Sequence, residues 1–455
     1  MAEWKEVLDE ASRYAIRYLD GLPSRPVGSN ASLESLRATL DRPLPAQGTD
    51  PREVIAELAR SADPGVVASS SGRFFGFVVG GATPAALAAD WLTSVWDQNA
   101  GLYVLGPAAA VVEDVARKWL ASLLGLPSEA SCGFVTGAQM ANFTGIAVGL
   151  QAVLGRAGWN VPGDGLWGAP RVRVLAGQGR HGTIDRALRF LGMGTGSIVE
   201  VAMDDQGRML PSALRTALAA ESGPAIVCAQ AGNVNSGAFD PIGEICDLAH
   251  AHDAWVHVDG AFGLWAAASP RLRHLVAGVE RADSWATDAH KWLNVPYDSG
   301  LVFCADPAAH RAAMGARAGY LIHGAEGERD ALDYGPEHSR RARGFAVYAA
   351  IRALGSDGVT ALVERSCELA ARFADRLAAS GRATILGEVV LNQVLVRFAD
   401  DAATRSVIEK VQREGTCWMS GTSWRGQAAM RISVSNWSTT PEDVDRSVDA
   451  ILRCL

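Results

Sequence analysis

The 455-residue sequence lacks the cysteine patterns that mark disulfide-rich or cysteine-bound zinc proteins. Its seven cysteines are scattered, odd in number and form no CxxC pair, which argues against a disulfide framework and fits a reducing compartment. His250, His252 and His257 lie close in sequence, but residues at i and i+2 near a helix end cannot face one metal ion. We therefore expect no metal site.

Long hydrophobic runs and an excess of positive charge are also missing. No run of 18 apolar residues is present, so no transmembrane helix is predicted. The first 20 residues are charged and have a helical period, unlike a secretory signal. Asp and Glu number 50 against 42 Lys and Arg, and this net charge of −8 argues against nucleic acid or an anionic membrane as a partner. These absences predict a cytoplasmic enzyme.

The pattern along the chain changes twice, which predicts an α/β protein in three parts. Residues 1–70 contain helical segments at 1–20, 32–40 and 51–61, with too few apolar positions to fold alone. Residues 71–345 alternate helices with short apolar strands, which is typical of a mostly parallel sheet covered on both faces. Residues 346–455 predict a small C-terminal α/β domain with strands at 389–398 and 428–435. The predicted strands of the large domain are 172–175, 198–201, 225–229, 255–258, 284–286 and 301–304.

Two segments of the large domain place charged residues where predicted strands end. WVHVDGAFG (255–263) ends a buried strand in Asp259, and the small residues that follow let a flat ligand approach. DSWATDAHKWLNVPYDSG (283–300) carries Lys291 among apolar neighbours, where partial burial favours a neutral, nucleophilic amine. Ligands bind beyond the carboxyl ends of strands in open α/β sheets. Taken singly, Asp259 as a turn cap and Lys291 as a surface lysine stay open as alternatives.

Three more segments have small or polar residues in similar places. In GFVTGAQMANFTGIAVGL (133–150) a small-residue turn opens a helix near Ala138, whose free N–H groups suit a phosphate. His181 follows a strand in GQGRHGTIDRALRFLG (177–192), and AQAGNVNSGAFDPI (229–242) is a polar loop after another strand. Each segment alone fits an ordinary core or cap, but the combination in this order is far more specific.

Together the five segments resemble the pyridoxal-phosphate-dependent group II amino acid decarboxylases, which include aromatic amino acid, glutamate and diaminobutyrate decarboxylases. HVDGAFG and DAHKW are the diagnostic pieces, and the likeness runs from about residue 73 to residue 343 and continues more weakly beyond. The resemblance implies pyridoxal 5'-phosphate (PLP) as cofactor and the PLP-dependent transferase-like fold (fold type I) with a mostly parallel seven-stranded sheet. It also implies a homodimer whose active site lies between subunits.

The resemblance carries roles over to matching residues. Lys291 would hold the cofactor through a Schiff base, and Asp259 would pair with the pyridine nitrogen and keep it protonated. His181 would stack on the ring opposite Ala261. Tyr320, on a glycine-rich loop, matches the tyrosine thought to return a proton to Cα after carbon dioxide leaves. The other implied cofactor contacts are Gly137, Ala138, Gln139, Asn233, Ser284 and His290.

The sequence departs from the family pattern at two places. Asn233 and Val234 stand where many relatives have Thr-Thr, so the contact to the ring oxygen is assigned to Asn233 or Asn235. Asp288 stands where some relatives carry a phosphate-binding asparagine. A carboxylate there would repel phosphate unless it turns away, so Asp288 is left out of the phosphate set.

Residues 73–102 match the region that shapes the substrate pocket in the family. This stretch has few charges and several aromatic residues, which predicts a substrate with an apolar or aromatic side chain, although each aromatic could equally be domain core. The aromatics are Phe74, Phe75, Phe77, Trp91 and Trp96. Arg73, Arg425 and Arg431 could each meet a substrate carboxylate, and the sequence selects none of them.

The expected reaction is decarboxylation of an L-amino acid to the amine and carbon dioxide. The alternatives are other PLP enzymes of the same fold: an aminotransferase, an aldehyde synthase or a carbon–carbon lyase. A dehydrogenase is rejected because GMGTGS (192–197) follows a helix and precedes a strand, the reverse of a dinucleotide-binding loop.

Overall fold

The computed structural model describes residues 4–325 and 327–455, so the first three residues of the predicted helix over 1–20 lie outside the described part. The helices are α1 (Trp4–Gly21), α2 (Leu33–Leu40), α3 (Pro51–Ala62), α4 (Pro84–Trp96), α5 (Pro107–Leu123), α6 (Ala138–Arg156), α7 (Val161–Asp164), α8 (Gly182–Phe190), α9 (Pro211–Ala219), α10 (Ile242–His250), α11 (Pro307–Met314), α12 (Gly344–Ala379), α13 (Asp401–Glu414) and α14 (Pro441–Arg453). The strands are β1 (Ser131–Val135), β2 (Arg173–Gly177), β3 (Ile198–Val201), β4 (Ala225–Gln230), β5 (Trp255–Asp259), β6 (Ser284–Asp288), β7 (Gly300–Cys304), β8 (Thr384–Ile385), β9 (Gln393–Arg397), β10 (Ser420–Trp424) and β11 (Gln427–Ser433).

The larger sheet confirms the mostly parallel seven-stranded arrangement. Its order is β1-β7-β6-β5-β4-β2-β3, and β7 runs antiparallel to both neighbours while the other neighbouring pairs are parallel. Every residue of β4, β5 and β6 is buried, which is typical of a sheet with helices on both faces. Six strands overlap the predicted apolar runs. The prediction missed β1, whose strand signal is weakened by Gly133; a Cβ there would lie 1.8 Å from the carbonyl oxygen of Tyr334.

The C-terminal part forms a second sheet in the order β10-β11-β9-β8, with all neighbours antiparallel. The sequence predicts its two central strands, which are shorter than expected at Gln393–Arg397 and Gln427–Ser433. Both edge strands were missed. β8 has two residues and β10 is largely polar, so neither produces an apolar run.

The long helix α12 packs against α4 and α5 on one side and against α14 and β9 on the other. By length and composition it could cross a membrane, a test that a buried core helix also passes. One face of α12, including Val347, Leu362 and Phe373, is buried in the hydrophobic cores, which accounts for its apolar composition. The predicted boundary at residue 346 falls inside this helix.

The loops after β1, β2, β4, β5 and β6 all leave from one edge of the larger sheet. β1 and β6 both run opposite to β7, so their carboxyl ends share the edge with those of β4 and β5. Gly80 and Gly81 cross the Lys291 loop here, and the Gly81 N–H donates to Asn294 Oδ1 at 2.6 Å. The fold therefore gathers residues from distant segments around Lys291.

The close crossing at Gly80 gives a test of this packing. A Cβ on Gly80 would lie 2.0 Å from the Lys291 carbonyl oxygen, so we expect Gly80→Ala to destabilise the protein by about 1–3 kcal/mol. Gly155→Ala is the matched control, because Gly155 lies in α6 with nothing within 4 Å of its Cβ position. This control should be neutral or stabilising by up to about 1 kcal/mol. Equal thermal unfolding midpoints for the two variants would contradict the crossing.

Candidate active site

A cavity of about 220 Å³ opens at the edge where these loops leave the sheet. Lys291 and Asp259 line this one cavity, as the sequence predicts for two groups that hold one ligand. Its predicted lining residues are Gly137, Ala138, Gln139, His181, Asp259, Ala261, His290 and Lys291. Its other lining residues, which sequence reasoning did not assign to the site, are Thr183, Gln230, Gly232, Val234, Phe262 and Asp288.

The Asp259 carboxylate ends a chain of buried hydrogen bonds that runs behind the cavity. Asn142 Nδ2 donates to Asp259 Oδ2 at 3.1 Å, which leaves Asn142 Oδ1 to accept from His257 Nε2 at 2.9 Å. His257 Nδ1 then accepts from Ser284 Oγ at 2.8 Å, and Ser284 Oγ accepts from Trp255 Nε1 at 2.8 Å. Every donor points toward Asp259, so the chain favours a negative charge on that carboxylate.

His257 is neutral in this chain because burial lowers the pKa of its imidazole to about 3. Sequence reasoning considered His257 only as a metal ligand and did not consider Asn142. Both have a signal in hindsight: Asn142 is a polar residue on the buried side of α6, and His257 alternates with Val256 and Val258 in a fully buried strand. Buried polar groups need partners, and these two groups satisfy each other.

His181 stands at the cavity wall as the N-cap of α8. Its Nδ1 lies 2.9 Å from Thr183 Oγ1 and accepts the Thr183 N–H at 3.3 Å, which fixes the ring at the start of the helix. Enclosure by the cavity walls lowers the pKa of the His181 imidazole, while the nearby Asp259 carboxylate opposes that shift. A neutral ring suits packing against an aromatic ligand.

The Lys291 ammonium group pairs with Asp288 on the same loop. Lys291 Nζ lies 2.8 Å from Asp288 Oδ2, and the Asp288 side chain is buried. Asp288 Oδ1 also accepts the N–H of Ala138, the first residue of α6, at 2.6 Å. A carboxylate at this position would avoid repelling a phosphate only by turning away from the predicted phosphate turn. The Asp288 side chain does not turn away. It lies within that turn.

The start of α6 has no side-chain cap of its own because its N-cap is Gly137. Gly300, at the start of β7, packs so closely there that a Cβ would lie 2.4 Å from the Cα of Gly137. His290 closes the turn from below, stacked on Tyr297 with ring centroids 4.1 Å apart. Burial lowers the pKa of His290, while Asp288 raises it. Small residues and the N–H groups at the start of α6 thus make a turn that suits an anion, and the Asp288 carboxylate occupies it.

Two predicted cofactor contacts do not reach this cavity. Ser284 begins β6, four residues before the edge, and its hydroxyl is buried between His257 and Trp255 under α6, so it is not beside the phosphate turn. Asn233 uses both ends of its amide within its own surroundings, donating to Gly179 O and accepting from the N–H groups of Asn235 and Ser236. At that loop Val234 and Gly232 line the cavity instead.

Tyr320 is not brought to Lys291 within one chain. Its side chain is 79% exposed and lines a different cavity of about 440 Å³ with Leu102 and Leu105. The sequence match placed Tyr320 by its distance from Lys291 along the chain, which does not fix where a loop packs.

The aromatic residues predicted for the substrate pocket lie in different surroundings. Phe75 is buried in the core and packs edge-to-face on Phe373. Phe74 and Phe77 both stack on the ring of Trp418. Trp91 and Trp96 are partly exposed on α4. Phe77 is 58% exposed and has a φ of 53°, an uncommon backbone conformation for a side chain of this size.

Of the three arginines, two already have partners elsewhere. Arg73 is buried and donates to the carbonyl oxygens of Leu22, Pro23 and Arg25, so it ties the N-terminal segment to the body. Arg425 pairs with Asp205 at the surface. Arg431 on β11 is buried, which lowers its pKa to about 10, and its charge is near enough to His181 to lower the pKa of that imidazole. Its Nη1 donates to Val234 O at 3.3 Å, while its Nε has no hydrogen-bond partner among the described residues.

Comparison with known proteins identifies the arrangement. The family model described as the pyridoxal-dependent decarboxylase conserved domain matches residues 34–399. The chain belongs to this family. It is 30% identical over 440 residues to the L-2,4-diaminobutyrate decarboxylase of Rhizobium meliloti (strain 1021), covering 93% of this chain and 86% of that protein. It is 27% identical to the aromatic-L-amino-acid decarboxylase of Bacillus atrophaeus, covering 97% and 93%.

The fold agrees with that membership. The crystal structure of Oryza sativa TDC with PLP and tryptamine superposes with a TM-score of 0.92 and 25% sequence identity, covering 99% of this chain and 97% of that one. This pyridoxal-dependent decarboxylase therefore uses PLP and is a carboxy-lyase that acts on amino acids. The cavity fits PLP because it combines a lysine, a buried carboxylate and an anion-binding turn. The names of the relatives cover aromatic, diaminobutyrate and histidine substrates, so membership alone does not select the amino acid.

The pKa of His257 gives a test of the chain behind Asp259. Because its pKa falls from about 6.5 in the unfolded chain to about 3 when folded, only the unfolded state gains this proton as the pH falls below 6.5. Folding free energy is therefore lost toward acid, at about 1.4 kcal/mol per pH unit for one histidine. We expect the free energy of unfolding of His257→Gln, measured with denaturant, to depend less on pH between about 6.5 and 3 than that of the wild type. The exposed control His252→Gln should retain the wild-type slope, and equal slopes in both variants would contradict the assignment.

Proposed function

We propose that this decarboxylase removes the α-carboxylate of an L-amino acid with an apolar or aromatic side chain, giving the amine and carbon dioxide. The exposed, backbone-strained ring of Phe77 carries the substrate assignment. An exposed aromatic residue held in an uncommon backbone conformation is a candidate for a binding role. Phe77 lies three residues from Gly80, whose backbone crosses the Lys291 loop, and its ring stacks on Trp418 with centroids 5.7 Å apart.

Within the cavity, each proposed catalytic group has a defined task. When bound, PLP withdraws electrons from the bond that breaks at the substrate Cα. Lys291 holds the cofactor and yields its place to the substrate amine. Asp259, which accepts a hydrogen bond from Asn142 Nδ2, would hold the proton on the ring nitrogen. His181 and Ala261 pack on opposite faces of the ring.

Arg431 is the proposed partner of the substrate carboxylate. Its side chain is buried near His181, and its Nε lacks a hydrogen-bond partner among the described residues. A buried guanidinium is incompletely paired by the single carbonyl oxygen of Val234, so an anion that binds there would stabilise it. Arg73 and Arg425 are committed to other contacts and are not candidates.

We further propose a homodimer in which the partner subunit supplies Tyr320 to the cavity. Within one chain Tyr320 is exposed and lines a different cavity from Lys291. Helix α1 has 18 residues and none is buried, yet it presents Trp4, Leu8 and Ile16 to solvent. A second copy that covers such an apolar face would also bring its loop to the site. Tyr320 then returns the proton to Cα, which favours simple decarboxylation over aldehyde formation.

The Phe77 assignment predicts a change in substrate selection. We expect Phe77→Ala to raise KM for phenylalanine, tyrosine or tryptophan by about tenfold, since it removes the ring that is proposed to contact the substrate side chain. Phe190→Ala is the matched control, because Phe190 is a similarly exposed ring on α8. The measurement is release of carbon dioxide and amine across an amino acid panel, with Lys291→Ala as the inactive blank. A wild-type enzyme that prefers charged substrates would refute the substrate proposal.

The shared site predicts complementation between two damaged chains. Lys291→Ala chains should lack activity, and Tyr320→Phe chains should make amine slowly with more aldehyde by-product. Random mixing of the two gives half heterodimers, each with one intact site if Tyr320 acts across the interface, so about a quarter of the wild-type sites are restored. If Tyr320 serves its own chain, mixing restores no intact site. Product analysis after refolding the mixed chains separates these outcomes.

A further inference from the structure

Asp288 is a buried carboxylate inside the turn that is expected to bind phosphate. Its side chain is 2% exposed, and both oxygens are engaged. Oδ1 accepts the N–H of Ala138 at 2.6 Å, and Oδ2 lies 2.8 Å from Lys291 Nζ. His290 Nε2 lies 3.5 Å from Oδ1. One aspartate thus contacts a helix N-terminus, the reactive lysine and a histidine.

The backbone leaves the Asp288 side chain little freedom to move away. The Asp288 N–H donates to Ala261 O at 2.9 Å, and its carbonyl oxygen accepts from Trp265 Nε1 at 3.1 Å. The first bond continues the pairing of β6 beyond the end of β5, and the second fixes the Asp288 carbonyl group to the Trp265 indole. The side chain therefore stays aimed at the first turn of α6, beside Gly137, where a Cβ would lie 3.5 Å from Asp288 Oδ1.

We propose that Asp288 is a resident anion that competes with the cofactor's phosphate for the first turn of α6 and neutralises Lys291 until the cofactor binds. Its contacts are those that a phosphate would seek in the same place: an N–H at a helix N-terminus and the Lys291 ammonium group. Two anions that share this turn repel each other. Asp288 therefore weakens the binding of PLP and keeps the cofactor-free cavity ordered. This inference rests on the family's cofactor and not on the proposed substrate.

The test compares two aldehydes that differ only in the phosphate. PLP and pyridoxal both condense with Lys291 Nζ and release one water molecule, so effects on the lysine itself cancel in the ratio of their dissociation constants. We expect Asp288→Asn to raise the preference for PLP over pyridoxal by about tenfold, because it removes like-charge repulsion from the phosphate alone. The dissociation constants come from absorbance titration of the cofactor-free protein.

Asp240→Asn is the matched control for loss of a buried aspartate. Asp240 also accepts two main-chain N–H groups, from Met209 and Gln230, both at 2.7 Å, but it lies outside the cavity lining. This variant should retain the wild-type PLP-to-pyridoxal ratio. If Asp288→Asn does not fold, Asp288→Ser decides the question, since it also removes the carboxylate and has a smaller side chain.

A second readout needs no aldehyde chemistry. Inorganic phosphate should raise the thermal unfolding midpoint of the cofactor-free Asp288→Asn protein, because the negative charge that repels an anion at this turn is then gone, and should leave the wild-type midpoint unchanged. The proposal is overturned if the carboxylate-free variants keep the wild-type PLP-to-pyridoxal ratio within about twofold, or if phosphate stabilises wild type as much as the variants.

Discussion

The parallel pairing of β5 with β6 is the interaction on which the rest of the site depends. Asp259 lies opposite Ala286 in this pairing, and the ladder continues past the end of β5 through Gly260 N–H to Ala286 O and Asp288 N–H to Ala261 O, each 2.9 Å. A slip of one residue would turn Asp259 to the other face of the sheet. Because both strands are buried on both faces, such a slip would also bury polar groups without partners. The packing of the sheet therefore fixes the separation between the carboxylate and the lysine loop.

Helix α6 contributes to both ends of the cavity at once. Its first turn provides the N–H groups of the anion-binding turn, and Asn142 one turn later holds Asp259. Further along, Gly145 and Gly149 let the helix approach the sheet, since a Cβ would lie 2.6 Å from the His257 ring and 2.7 Å from the Trp255 ring. Small residues on this helix thus make room for the polar chain behind Asp259. The chain is buried, and full pairing of its members makes that burial tolerable.

Sequence reasoning predicted the features that depend on local pattern and on the order of strand ends. Asp259, His181 and Lys291 follow strands in a parallel sheet, so the topology brings them together. Ser284, predicted as a phosphate contact, lies away from the phosphate turn for a geometric reason. A strand rises about 3.3 Å per residue, so a residue four positions before the edge lies far from it. The location of Tyr320 depends on how a loop packs, and for the proposed dimer on a second chain, neither of which periodicity encodes.

Asp288 shows why residue type and residue placement must be considered separately. The same backbone that presents Lys291 to the cavity aims residue 288 at the start of α6, because the two belong to one turn whose first N–H is bound to Ala261. Once the pairing of β6 is fixed, only the chemistry of the side chain can vary at this position. An amide there would leave Lys291 without its counter-ion, whereas a carboxylate supplies one and occupies the turn. Charge balance in the cofactor-free protein and room for a phosphate are thus opposing demands on one side chain.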